Sequence, residues 1–64
     1  MNARLLTWGY GVPVKATRSD RLWARARMFG AGELGRVIRE SGSIVIVQIG
    51  DWAIPLERTH VGAP

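Results

Sequence analysis

Arg36-Val37-Ile38-Arg39-Glu40-Ser41-Gly42-Ser43-Ile44-Val45-Ile46-Val47-Gln48-Ile49 is the stretch on which the fold turns. Of the six residues Ile44–Ile49, five are β-branched, and such side chains suit a pleated strand and lose freedom in a helix. The run is apolar at alternate positions of both parities, so it predicts a central strand covered on both faces. Ser41-Gly42-Ser43 has the length and the glycine of a hairpin loop. Gly50-Asp51 then predicts a two-residue turn, with glycine supplying the positive φ of a type II′ geometry. Trp52-Ala53-Ile54-Pro55-Leu56 alternates, placing Trp52, Ile54 and Leu56 inward, while Pro55 lacks a ladder donor and marks an edge. Glu57–His60 is read as a one-turn 3₁₀ helix, Val61 as a last short strand and residues 62–64 as a frayed tail.

Upstream of the hairpin the punctuation is denser. Gly30-Ala31-Gly32 reads as a turn and Gly9-Tyr10-Gly11 as a break. Val12–Thr17 alternates, with Pro13 confining it to an edge strand or a strand start. Met1–Tyr10 reads as either a strand or an irregular arm. Ser19–Phe29 fits two readings. As a helix it has Ser19 for a cap and Leu22, Ala26 and Phe29 on one stripe. As a strand it sets Leu22, Ala24, Ala26 and Met28 against an exposed face of Trp23, Arg25, Arg27 and Phe29. The β pattern downstream favours a strand or a long loop. The expectation is one mainly β domain over residues 1–64: a small, closed, five-stranded barrel with a long first loop over 18–32. Closure removes the edges that an open sheet of this size leaves exposed.

Composition narrows the classes of function. A 64-residue chain makes a thin core, and small domains compensate with disulfides, metals or self-association. There is no cysteine and a single histidine, His60, so neither a disulfide nor a histidine–thiolate metal set is available. Homo-oligomerisation is the remaining device. No apolar run approaches the roughly 20 residues of a membrane-spanning helix, and Leu5-Leu6 is too short for a leader's apolar core. A cytoplasmic protein with no membrane partner is expected.

The net charge of +4 is unevenly spread. Arg4, Lys15, Arg18, Arg21, Arg25 and Arg27 against Asp20 give residues 1–30 a charge of +5. Arg36, Arg39 and Arg58 against Glu33, Glu40, Asp51 and Glu57 leave the remainder at −1. Eight of the nine cations are arginine, whose planar fork suits phosphate and carboxylate. The implied partner is anionic: nucleic acid or an acidic protein surface.

Gly32-Glu33-Leu34-Gly35-Arg36-Val37-Ile38, the hairpin, and Ile54-Pro55-Leu56-Glu57-Arg58-Thr59-His60-Val61 together resemble an SH3-like barrel across the C-terminal half. In that fold a Gly-x-x-Gly-x-Val stretch leads into a hairpin, a third strand, a one-turn helix and a closing strand. The resemblance implies fold more than function. Small KOW-type modules of this kind dock on nucleic acid or its machinery, and electron-transport accessory subunits clamp onto larger complexes. Val47-Gln48-Ile49 and Leu56-Glu57-Arg58 also resemble the active-site tripeptide and C-terminal end of type II dihydrofolate reductases, which implies a pore-type tetrameric reductase. That motif continues with tyrosine where this chain has Gly50, and here the tripeptide falls one strand early.

No hydroxyl, carboxylate or imidazole falls in a nucleophile or acid–base motif, and neither a catalytic residue, a metal nor a cofactor is expected. Gln48 is the odd residue of the core strand, read as an amide satisfied locally. Trp52 belongs to the core, whereas Trp8 and Trp23 are candidates for exposure. Trp23 interleaved with arginines has the composition of a surface that stacks on bases and pairs with phosphates. The leading reading is a non-enzymatic basic binding module contacting nucleic acid through Lys15, Arg18, Arg21, Trp23, Arg25 and Arg27. The same residues also suit a protein-docking accessory subunit, since arginine and tryptophan are enriched at interface hot spots.

Overall fold

The computed structural model describes residues 1–15 and 25–64. They form seven strands: β1 (Asn2–Leu5), β2 (Gly9–Pro13), β3 (Arg27–Phe29), β4 (Leu34–Ser41), β5 (Ile44–Ile49), β6 (Trp52–Glu57) and β7 (Val61–Gly62). A 3₁₀ turn over Arg58–His60 precedes β7, where the chain was read to make one. The strands lie in the order β3-β2-β6-β5-β4-β1-β7, with every pair antiparallel. β5 is therefore the central strand. Among the described residues no helix is long and apolar enough to cross a membrane.

The architecture is mainly β, but the sheet is a curled half-barrel of seven strands and not a closed barrel of five. Two strands account for the difference. β1 forms within the N-terminal segment because Asn2-Ala3-Arg4-Leu5 alternates, burying Ala3 and Leu5 and exposing Asn2 and Arg4. β3 forms inside the expected first loop, closing a hairpin with β2. The sheet then ends at β3 and β7, which do not pair with each other. The connection after β3 crosses instead to β1, where the Leu5 N–H donates to the Glu33 carbonyl and the Gly32 N–H to the Leu5 carbonyl. Residues 19–24 of the segment read as helix or strand lie outside the described residues.

Both hairpin turns follow the sequence chemistry. Ile49 pairs with Trp52 across Gly50-Asp51, and Gly50 takes a φ of +59° while no non-glycine residue described has a positive φ. That is the type II′ pattern. β4 and β5 are joined more tightly than expected, since Ser41 pairs with Ile44 and only Gly42 and Ser43 form the loop.

The Gly9-Tyr10-Gly11 segment is not a break; it lies in β2, and its glycines serve close approach. A Cβ on Gly9 would stand 2.9 Å from Ile54 Cγ2 and from Leu56 Cδ2. One on Gly11 would stand 2.8 Å from Phe29 Cε2 and 3.0 Å from Ile54 Cγ1. Both distances are inside van der Waals contact, so β2 can lie over the core only without side chains on its inner face. The space admits Phe29, which joins Leu5, Val45, Val47, Ile54 and Leu56 in the core, with Val37, Ile49, Trp52 and Val61 packed against it.

β4 is interrupted by a bulge. Val37 pairs with Val47 but Arg39 with Ile46, leaving Ile38 as the extra residue. A bulge re-aims the side chains beyond it. Strict alternation after Val37 would turn Arg39 onto the core face. The bulge keeps Arg39 with the outward Ile46 and brings Glu40 opposite the buried Val45. Glu40 there receives the Arg58 guanidinium. Arg58 also donates to the Gly42 carbonyl at 3.0 Å, and its backbone N–H to the Ser43 carbonyl at 2.7 Å. One residue thus ties the tip of the β4–β5 hairpin to the 3₁₀ turn.

Gly11→Ala is expected to lower stability by about 1–3 kcal/mol through overpacking, read as a shift in the urea unfolding midpoint. An unchanged midpoint would show slack on the inner face that the distances deny.

Candidate binding surface

The β2–β3 hairpin carries the features that sequence reading tied to binding. Its register sets Gly9 opposite Phe29, Tyr10 opposite Met28 and Gly11 opposite Arg27. Cross-strand partners share a face and successive residues alternate, so Phe29 and Arg27 lie on the inner side with the glycines. Tyr10 and Met28 lie on the outer side. This inverts part of the expected strand pattern: Phe29 is only 3% exposed, whereas Met28 is 61% exposed. The glycines opposite are the cause, because they leave a space that an aromatic ring fills and a backbone alone cannot.

Arg27 remains exposed, with its guanidinium carbon 5.0 Å from the centre of the Phe29 ring. A cation over an aromatic face is attracted by the ring quadrupole, so Arg27 is held at the rim of the core with its donors facing solvent. Lys15, just after β2, and Arg25, just before β3, are also exposed. These two lie where the strands enter their connection, so the structure gathers Lys15, Arg25 and Arg27 at one end of the hairpin. Arg18, Arg21 and Trp23 fall within residues 16–24, outside the described residues.

Two further aromatic residues stand on the outer side. Trp8 is 57% and Tyr10 47% exposed, and their rings meet edge to face at 83° with centroids 5.3 Å apart. Trp8 was expected to be exposed; Tyr10 and Met28 were not singled out. The period-two spacing of Trp8 and Tyr10 around Gly9 carried the signal, since a strand that keeps glycine inward must turn those rings outward. β2 pairs with β6 only through Val12–Ala53 and Pro13–Trp52. Beyond that point the strands part and leave an open groove of about 460 Å³, lined by Trp8, Tyr10, Pro55, Leu56, Glu57 and His60 among others. β6 lies between β2 and β5 and is not the edge strand that Pro55 was expected to mark, nor is β2 with Pro13. Pro55 is tolerated because β2 pairs only with Trp52 and Ala53, leaving position 55 without a partner on that side.

The other positions weighed in the sequence have structural partners. Trp52 is half-buried against the core and 6.2 Å from Phe29, centroid to centroid. The Gln48 amide donates to the Gly50 carbonyl at 3.0 Å, and Val47 beside it is fully buried. His60 is exposed, 4.0 Å from the Glu57 carboxylate. A second cleft of about 440 Å³ is lined by Met1, Ala3, Val37, Glu40, Arg58 and Val61 among others. Among the described residues no group of three acidic, histidine or cysteine side chains is placed to hold a metal ion.

The chain matches no protein-family model, no curated protein and no solved structure.

Removing surface and core aromatics should separate cleanly in chemical denaturation. Trp8→Ala is expected to change stability by no more than about 0.5 kcal/mol. Phe29→Ala should cost about 3–5 kcal/mol.

Proposed function

We propose that this chain is a non-enzymatic basic binding module that contacts nucleic acid along the β2–β3 hairpin and its connection. Lys15, Arg18, Arg21, Arg25 and Arg27 would meet phosphates, and Trp23 would stack on a base. One observation carries the reading furthest. The exposed pair Trp8 and Tyr10 stands at the start of β2, the strand that runs into the arginine-rich connection. Stacking platforms beside a positive track are the means by which proteins hold single strands without reading sequence. Each stacked base contributes about 1–3 kcal/mol, and the cations add a counterion-release term that varies with salt. Arg27, steadied over Phe29, would present its donors with less entropy to lose than a free arginine.

A second reading draws on the same surface. Met28 beside Tyr10, and the groove running on to Pro55, expose apolar area that phosphates do not need. That area suits docking of an acidic protein face, as in an accessory subunit of a larger complex, with Arg and Trp as anchors.

Titration of the protein with short single-stranded DNA and RNA at several salt concentrations tests the first reading. Affinity should fall steadily with salt. Trp8→Ala should weaken binding at every salt concentration. Arg27→Gln should reduce the slope of log affinity against log salt by about 0.7–1. No binding at low salt, or binding indifferent to salt, overturns it. A stable stoichiometric protein complex lost in Met28→Glu would favour the docking reading instead.

A further inference from the structure

β5 has the composition of a strand covered on both faces, yet the described residues cover only one. Val45 and Val47 are buried on the inner side. On the outer side Ile44 is 39% exposed and Ile46 half-buried, and no described element lies over them. The bulge enlarges this apolar face by placing Ile38, 45% exposed, beside Arg39.

The registers fix the layout. One row across the sheet runs Arg39–Ile46–Pro55, and the next runs Ser41–Ile44–Glu57. The centre is apolar, with a cation on the β4 side and an anion on the β6 side. Strands lie about 4.8 Å apart and rows about 7 Å apart. The Arg39 side chain forms no ion pair or hydrogen bond among the described residues, and the Glu57 carboxylate has only His60, at 4.0 Å.

We propose that a second copy of this chain packs on the outer face of β4–β5–β6, stacking Ile44 and Ile46 of the two copies about a twofold axis parallel to β5. Such an axis lays β4 of one copy over β6 of the other. Arg39 then lies over the partner's β6 within one row of Glu57, twice by symmetry, and the isoleucines meet at the centre. This is the self-complementarity that an isologous interface requires. A twofold axis perpendicular to β5 in the plane of the face would instead set β4 over β4, facing the Arg39 strand with its own copy and leaving Glu57 on the far side. The thinness of the core supplies the driving force, since small domains without disulfides or metals gain most from an external cover. The proposal does not depend on nucleic-acid binding.

Sedimentation equilibrium over a concentration series tests it. The mass is expected to rise from 7.1 kDa towards twice that value, and Ile44→Glu should hold the protein monomeric with an unchanged circular dichroism spectrum. Should Ile44→Glu unfold, the exposed charges decide. Arg39→Glu and Glu57→Arg should each weaken association about tenfold through like-charge opposition, and the double reversal should restore it. A monomer at every concentration overturns the proposal, as does a folded Ile44→Glu dimer or a double reversal no tighter than the single ones.

Discussion

The whole fold depends on how closely β2 can lie over the core. Ile54 and Leu56 stand where side chains on Gly9 and Gly11 would be, so the inner face of β2 is bare backbone. A curled sheet with few core side chains has no other way to reach packing contact with its far strand. Phe29 enters from β3 through the same gap and provides the one aromatic ring among the buried core residues described, with Trp52 packed against it. What faces inward on this hairpin also determines what faces outward: Tyr10 and Met28 occupy the positions between the inward ones, and Trp8 packs on Tyr10. The aromatic display on the surface is the reverse side of the glycine packing beneath it.

A second device governs the other half of the molecule. The bulge at Ile38 turns an alternation that would have driven an arginine into the core into one that sends Glu40 to its rim. Arg58 meets it there. Both side chains are about half exposed, so the pair itself contributes little. Its value lies in geometry, because the same guanidinium and its backbone N–H also bind the carbonyls of Gly42 and Ser43.

Sequence reading succeeded where one residue type has one physical meaning. β-Branched runs, strict alternation and glycines at short polar turns specified β4, β5, β6 and the two tight turns, whereas the prolines misled, since Pro13 and Pro55 lie in the interior strands β2 and β6. It failed where one residue type has two meanings. Glycine at 9 and 11 marks a turn and a close approach equally well, and only Ile54, Leu56 and Phe29, distant in the chain, distinguish them. β1 was ambiguous because four residues of alternation are too few to outweigh an arm. The bulge left no trace, since Val37-Ile38-Arg39 reads the same in either register. The basic residues were legible as a run in the sequence, while the exposed pair of Trp8 and Tyr10 became legible only once Gly9 and Gly11 were seen to face inward. For Ile44–Ile49, apolar residues of both parities spoke for two covered faces, while the described residues cover one.

β1 and β7 differ from the other strands in the order of events. Arg4 pairs with Gly62 and Leu5 with Val61, so this contact closes a loop of nearly the whole chain. The meander β4–β5–β6 closes loops of two residues. Loop-closure entropy grows with length, and β7 offers only two residues in return. The meander can therefore assemble first, as a local unit braced by Arg58, with β1 and β7 docking last. By the same entropy, the two strands are expected to open before the meander in the native state, their amides exchanging at a cost below that of global unfolding. Leu5, fully buried when closed, is the core residue that each such opening releases.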